Sequence, residues 1–286
     1  MNNIITAFTV SLIAGLSTMI GCLFIYLKPK KTSNFIGISL SFSATIMLLI
    51  SITDLIPEGF FYISKSYNLI IAIIILLLMI LIGNKVNSVI DKKIQKKSQE
   101  SLYKLGILNM LALIIHNMPE GVLTFLSSTI DIKMGIKYGL AIMLHNIPEG
   151  IAIAIPIYYS TKSKIKAIKF TLISAISEPL GALLAYLILY KYISNLMISI
   201  ILLFTAGLMI SISINDIFKE SQKYSKKSLI KGLIIGIIVI ILTNIFLWFT
   251  ISYKSLNISS NHTSFNLFIS SITLLTTYSS LLSYLV

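Results

Sequence analysis

Two six-residue stretches, His-Asn-Met-Pro-Glu-Gly at 116–121 and His-Asn-Ile-Pro-Glu-Gly at 145–150, lie inside long apolar runs. The whole chain has only three histidines and ten acidic residues, and two of each fall in these stretches. Ionisable groups inside a membrane are costly; they face the interior of a helix bundle and mark the paths of ions or substrates. The duplicated pattern therefore predicts a membrane bundle with a polar centre.

The composition agrees with this prediction. Hydrophobic residues make up 56% of the 286 residues and charged residues 12%, and apolar runs of about 20 residues recur along the chain. We expect an all-α polytopic membrane protein with eight transmembrane helices, near residues 4–27, 35–56, 69–84, 105–127, 135–159, 168–190, 196–215 and 230–251. The first span lacks the preceding positive charge and the cleavage site of a signal peptide, so we interpret it as a transmembrane helix.

The net charge of +13 comes from lysine alone. Eighteen of the 23 lysines fall in alternate loops, and five fall on the other side of the membrane. The positive-inside rule places the lysine-rich loops in the cytoplasm and the N-terminus outside. The excess of positive charge therefore indicates orientation in the cell membrane. No soluble domain is predicted that could bind nucleic acid, so no nucleic-acid partner is expected.

The predicted domain organisation is a transmembrane domain at 1–253 followed by a tail at 254–286. A lysine-rich cytoplasmic loop at 84–104, mobile or partly helical, separates the third and fourth spans. Within the tail, residues 264–286 are moderately apolar and rich in Ser and Thr. They either lie on the outer surface, which we favour, or form an extra membrane-crossing segment. His262 in this tail is interpreted as a surface residue.

A second repeat pairs Ser-Ile-Thr-Asp-Leu-Ile-Pro-Glu at 51–58 with Ser-Ile-Asn-Asp-Ile-Phe-Lys-Glu at 213–220. These motifs end the second and seventh spans, which are predicted to run in opposite directions. This pattern is typical of an inverted repeat, spans one to three against six to eight, and secondary transporters built this way bind substrate near the midplane. Asp54 and Glu58 either concentrate cations at the outer entrance or are ordinary interfacial acids.

The spacing within each His-Asn-x-Pro-Glu-Gly stretch has a chemical meaning. Residues i and i+4 lie on one helix face about 6 Å apart. His116 and Glu120 therefore lie on one face of their helix, and His145 and Glu149 lie on one face of theirs. The asparagines point about 100° further round. Each proline frees a backbone carbonyl, and each glycine lets a neighbouring helix approach closely. Two such antiparallel helices would bring two imidazoles, two amides and two carboxylates around one point.

Imidazole with carboxylate suits Zn²⁺, Fe²⁺ or Mn²⁺ better than Na⁺ or Ca²⁺, and a dication would neutralise the buried carboxylates. Glu178, beside Pro179 in the sixth span, adds a third carboxylate. Structural histidines are one alternative. Another is an intramembrane metal-dependent hydrolase, although the His-Glu-x-x-His motif is absent and such enzymes keep an open water position on the metal. A third is a proton-coupled transporter of organic solutes.

These residues resemble the ZIP (Zrt/Irt-like) family of divalent metal transporters, most closely its bacterial zinc-uptake branch. The resemblance covers nearly the whole chain: residues 11–18 are similar to the family's first helix, 43–58 to its second and 205–216 to its seventh. The repeated His-Asn-x-Pro-Glu-Gly is the most specific part. The resemblance implies eight helices in a 3+2+3 inverted repeat, both termini outside, and a two-metal site between helices four and five.

By position, the resemblance implies metal ligands on the second, fourth, fifth and sixth spans. The ligands implied for the first ion are His116, Glu120, His145 and Glu149, with Met47 nearby. Those implied for the second ion are Asn117, Asn146 and Glu178, and Glu120 and Glu149 are shared by both ions. Two departures are visible. The loop between the third and fourth spans contains no histidine, whereas many members have a histidine-rich loop there, and the hydrophobic tail is unusual.

We therefore expect a transporter, not an enzyme, that imports Zn²⁺ into the cytoplasm, with Fe²⁺, Mn²⁺, Co²⁺ and Cd²⁺ as alternative cargoes. The family resemblance implies that the metal site is exposed alternately to either side, by sliding or by gating of helices. No prosthetic group is expected. The expected partners are the transported metal ions and the lipid bilayer, with a homodimer left open.

Overall fold

The structure is a computed structural model that describes residues 2–95, 101–130, 132–189 and 194–255. These residues are helical nearly throughout, and no strand occurs among them. The α-helices are Asn2–Ser17, Thr32–Ile50, Ile56–Ser66, Leu69–Gln95, Ser101–Ile130, Ile132–Thr161, Lys164–Leu184, Asn195–Ile212, Lys219–Gln222 and Lys226–Ser255. By their contacts the residues group into two units, Met1–Ile237 and Ile238–Val286. The site considered below lies within the first unit.

Eight stretches of the described residues are long and apolar enough to cross a membrane: Ile4–Tyr26, Thr32–Ser64, Leu69–Lys93, Leu102–Thr129, Tyr138–Thr161, Lys164–Ile188, Leu196–Gln222 and Lys226–Ile245. The prediction of an all-α polytopic protein with eight membrane helices is confirmed. In order, these stretches are the first to eighth spans. The predicted tail segment at 264–286 and His262 lie outside the described residues.

The third span is longer than its apolar pattern predicted. The pattern ends near residue 84, but the helix continues to Gln95, and the next helix begins at Ser101. Much of the loop predicted at 84–104 is therefore helical. Hydrophobicity reports where the hydrocarbon ends, whereas backbone hydrogen bonding can continue into water. An ion pair of 2.7 Å between Asp91 Oδ1 and Lys104 Nζ joins these two helices.

Departures from α-helical geometry occur at equivalent places in the two halves. Ser51–Leu55 in the second span and Ser213–Phe218 in the seventh are both π-helical. These segments are the two copies of the Ser-Ile-x-Asp motif. Because π-helical turns are rare and usually local, their occurrence in both copies supports a structural repeat.

Close backbone packing shows the same pairing of spans in each half. Gly121 of the fourth span packs against the carbonyl oxygen of Glu178 in the sixth. Gly150 of the fifth span packs against the carbonyl oxygen of Thr18 in the first. In both places an added Cβ would overlap that oxygen. Small residues permit such close approach between membrane helices.

The outer spans repeat this relationship. A Cβ added to Gly83 of the third span would lie 2.5 Å from the backbone nitrogen of Leu208 in the seventh. A Cβ added to Gly232 of the eighth span would lie 2.5 Å from the carbonyl oxygen of Ile38 in the second. The third span thus packs on the seventh as the eighth packs on the second, which agrees with an inverted repeat.

The fourth and fifth spans are, together with the second, the most enclosed spans among the described residues. In each, 67% of the most apolar window is buried, compared with 11% in the third span. Their helices, Ser101–Ile130 and Ile132–Thr161, continue through Pro119 and Pro148 without interruption. Polar side chains on these two helices are therefore held away from lipid.

Replacing Gly121 with alanine should destabilise this packing, because the added methyl group meets backbone rather than a movable side chain. We expect the thermal unfolding midpoint in detergent to fall by about 5 °C, since overpacking costs roughly 2 kcal/mol. Gly37→Ala is the matched control. Its added Cβ would meet Ser228 Cβ at 3.1 Å, so we expect a change within about 2 °C. Equal midpoints for both variants would contradict the packing described.

Candidate metal centre

Two histidines and two glutamates of the fourth and fifth spans meet inside the bundle. His116 Nε2 lies 3.1 Å from Glu120 Oε1 and 2.9 Å from Glu149 Oε1. His145 Nε2 lies 2.9 Å from Glu120 Oε1. The i and i+4 spacing on each helix thus places all four side chains at one point, as the sequence pattern predicted. We call this group the histidine cluster.

Several atoms of the histidine cluster have no hydrogen-bond partner among the described residues. They include both ring nitrogens of His116, Glu120 Oε2 and Glu149 Oε1. The short approaches of His116 to the carboxylates therefore lack hydrogen-bond geometry, although the atoms are close. Leaving buried acceptors without a donor is costly. A cation placed among these atoms would remove that cost.

The histidine cluster provides ligand types that suit a transition-metal ion and brings three of these ligands close together. Ligand atoms of His116, His145 and Glu149 all lie within 4.8 Å of one another. Imidazole nitrogens combined with carboxylate oxygens suit zinc and its neighbours in the first transition row. The side chain of His145 is 12% exposed, compared with 1% for His116. His145 is therefore the most exposed member of the histidine cluster.

A second polar group adjoins the first. Asn146 Nδ2 donates to Glu178 Oε2 at 2.9 Å and to the carbonyl oxygen of Ala14 at 2.9 Å. Asn146 Oδ1 and Glu178 Oε1 are buried and have no hydrogen-bond partner among the described residues. This group, which we call the asparagine cluster, joins the fifth span to both the first and the sixth.

Glu149 contacts one residue of each predicted ligand set, His116 of the first and Asn117 of the second. When the side-chain amide of Asn117 is oriented with its nitrogen toward Glu149, Asn117 Nδ2 donates to Glu149 Oε2 at 3.2 Å and to the carbonyl oxygen of Leu113 at 2.8 Å. The other oxygen of Glu149, Oε1, approaches His116. One carboxylate thus contacts a member of each predicted ligand set, which is the geometry that a shared ligand requires.

The second span packs against the fifth span near the histidine cluster. Ser43 Oγ donates to the carbonyl oxygen of Pro148 at 2.7 Å. Met47 is fully buried and lies one helical turn from Ser43, on the same face. Nearer the predicted outer end, the hydroxyl of Tyr138 donates to Glu58 Oε1 at 2.7 Å. Glu58 is therefore engaged with the fifth span.

Sequence reasoning missed the first span as part of the site. Ala14 accepts the hydrogen bond of Asn146, and Thr18 contacts Gly150. A sequence signal was available: Leu-Ile-Ala-Gly-Leu-Ser-Thr-Met-Ile-Gly at 12–21 matches Leu-Ile-Ser-Ala-Ile-Ser-Glu-Pro-Leu-Gly at 172–181. This similarity relates the first span to the sixth, which carries Glu178.

Known zinc transporters are similar in sequence to this chain. The family model described as "ZIP Zinc transporter" matches residues 85–244. The chain is 37% identical over 245 residues to a protein named zinc transporter ZupT from Oceanobacillus iheyensis, covering 79% of this chain and 91% of that protein. It is 34% identical over 241 residues to the zinc transporter ZupT of Streptococcus mutans, with coverages of 79% and 91%.

Zinc should stabilise the purified protein, because a ligand that binds only the folded state adds its binding free energy to folding. At a hundredfold excess over the dissociation constant we expect the unfolding midpoint in detergent to rise by about 5–10 °C. Glu149→Gln should remove most of this rise. Glu58→Gln, which alters a carboxylate bound to Tyr138 instead, should keep it. A rise in Glu149→Gln equal to that of the unmodified protein would contradict the assignment of this carboxylate.

Proposed function

This chain belongs to the ZIP family, and from that premise we propose that it imports divalent transition-metal ions, zinc foremost, through a two-ion site between its fourth and fifth spans. Zinc is the cargo named for its relatives from Oceanobacillus iheyensis and Streptococcus mutans. The ligand types suit Fe²⁺, Mn²⁺, Co²⁺ and Cd²⁺ as well, and these are the alternative cargoes.

The single observation that carries the proposal is the meeting of two imidazoles and two carboxylates inside an eight-span bundle. Charged groups at membrane depth normally face a path for ions or substrates. Three of the buried carboxylates, Glu120, Glu149 and Glu178, are almost fully inaccessible to solvent. Two dications would more than balance their three negative charges, so ion binding offsets the cost of burying them.

The adjacency of the two clusters supports passage rather than permanent binding. Glu149 presents one oxygen to His116 and the other to Asn117. An ion could therefore exchange ligands between the two predicted ligand sets while it keeps its contact with Glu149. Conduction in general requires sites that bind firmly enough to admit an ion and weakly enough to release it. A pair of sites sharing carboxylates meets both requirements.

The proposed direction follows from the lysine distribution. Eighteen lysines on one side place that side in the cytoplasm and the N-terminus outside. The second span would then approach the fifth near the outer half of the membrane, where Tyr138 contacts Glu58. Ions would enter past His145, the most exposed member of the histidine cluster, and leave on the cytoplasmic side.

Transport is tested in proteoliposomes containing a zinc-sensitive dye. The unmodified protein should carry Zn²⁺ into the vesicles, and Glu149→Ala or His145→Ala should reduce the flux to that of empty vesicles. The third histidine of the chain provides a matched control: His262→Ala, in the predicted tail, should leave the flux unchanged. Flux that persists in both site variants would refute the site. Purified active protein that holds no metal would favour transport of an organic solute instead.

A further inference from the structure

Thr18 occupies the place in the first half of the repeat that Glu178 occupies in the second. When residues 12–21 are aligned with 172–181, Thr18 falls opposite Glu178. The two residues also have equivalent packing in the structure, because Gly150 packs on the carbonyl oxygen of Thr18 as Gly121 packs on that of Glu178. The two positions are therefore related both in sequence and in packing.

The surroundings of Thr18 are those of the asparagine cluster. Ala14, one helical turn earlier, accepts the hydrogen bond from Asn146. A Cβ added to Gly15, in the same turn, would lie 3.0 Å from Glu178 Cβ. Residues three and four apart share a helix face, so Thr18 lies on the face that contacts Asn146 and Glu178. At Thr18 the first span also changes from α-helix to 3-10 helix.

The hydroxyl of Thr18 is fully buried and has no hydrogen-bond partner within the described part of the chain. Buried threonines in helices commonly donate to the carbonyl four residues earlier, as Thr45 does to Ser41 and Thr171 to Ala167. Other buried hydroxyls, such as that of Thr205, also have no hydrogen-bond partner among the residues that the structure describes. Thr18 differs from these because it stands at the repeat position of a carboxylate in the site.

We propose that Thr18 binds the second metal ion through its hydroxyl oxygen, opposite Glu178. This inference rests on the proposed two-ion transport function and adds a ligand from the first span. A threonine hydroxyl can serve as a ligand of a divalent cation, as the P-loop Ser/Thr of nucleotide-binding proteins does for Mg²⁺.

The replacement of a carboxylate by a hydroxyl has an electrostatic consequence. A glutamate at both repeat positions would give four carboxylates, which fully neutralise two dications. With Thr18 in place, three carboxylates remain and the doubly occupied site keeps one positive charge. The two ions repel each other through a medium of low dielectric constant, so the second ion is held weakly and is released readily. Thr18 thereby favours turnover over retention.

The first arm of the test measures equilibrium binding and flux of Zn²⁺ with the full-length protein. Thr18→Ala should weaken the second binding event about tenfold, a loss typical of altered metal sites, and leave the first unchanged. Thr18→Ser, which keeps the hydroxyl, should restore it. Thr18→Glu should tighten the second event and slow the flux. Retention of the first ion in each variant shows that the protein is folded.

The second arm detects coordination directly. Cys22 is the single cysteine of the chain, so Thr18→Cys is made together with Cys22→Ser. Binding of Cd²⁺ should then produce a thiolate-to-metal charge-transfer band in the ultraviolet. Thr171→Cys in the same background is the matched control, because Thr171 is equally buried but its hydroxyl is satisfied within its helix. It should produce no band.

The outcomes separate the two proposals. Unmodified protein that binds two ions, with Thr18→Ala unchanged and no band in Thr18→Cys, overturns the role of Thr18 and leaves the transport function intact. Unmodified protein that neither binds nor carries a divalent ion overturns the transport function itself, and the role of Thr18 fails with it.

Discussion

The structure depends on the cost of placing carboxylates where water is scarce. Glu120, Glu149 and Glu178 are buried in helices that are otherwise apolar, and an isolated charge there would cost several kcal/mol. Hydrogen bonds from Asn146 and Asn117 offset part of this cost. Carboxylate oxygens near the imidazoles have no hydrogen-bond partner among the described residues. A bound cation would offset the remaining cost of burying these charges. Architecture and function are therefore consequences of the same electrostatic requirement.

Meeting that requirement calls for helices that approach more closely than large side chains permit. The two central spans carry a glycine directly after each glutamate, and those glycines pack on the carbonyl oxygens of Glu178 and Thr18. This contact brings the first and sixth spans within reach of the asparagines. The glycine in each repeated motif thus determines which helices approach the two clusters closely. The same glycine packing occurs in both halves of the repeat.

Much of this could be predicted from the sequence because two of its signals are local. Apolar length gave the eight spans, and the four-residue spacing of histidine and glutamate gave the face on which His116 and Glu120 lie. The apolar pattern did not indicate that the helix of the third span continues to Gln95, because hydrophobicity ends with the membrane while the helix does not. The contacts of Ala14 and Thr18 depend on which helices pack together, and only the weak similarity of the first and sixth spans indicated that.

Thr18 and Glu178 stand at equivalent positions of the repeat but differ in charge, and this difference bears on how ions are released. Inverted repeats tend to build matching sites, and matching carboxylates would bind two dications most firmly. A transporter must also release them. If Thr18 binds the second ion as proposed, the difference between Thr18 and Glu178 favours the exchange of ions over their storage.

The central claim is that both clusters hold metal ions at once. The most direct measurement is anomalous diffraction at the zinc absorption edge from crystals grown with Zn²⁺. We expect two adjacent peaks, one among His116, His145 and Glu149 and the other beside Asn146 and Glu178. Peaks found only at the surface, with no anomalous signal between the fourth and fifth spans, would contradict it.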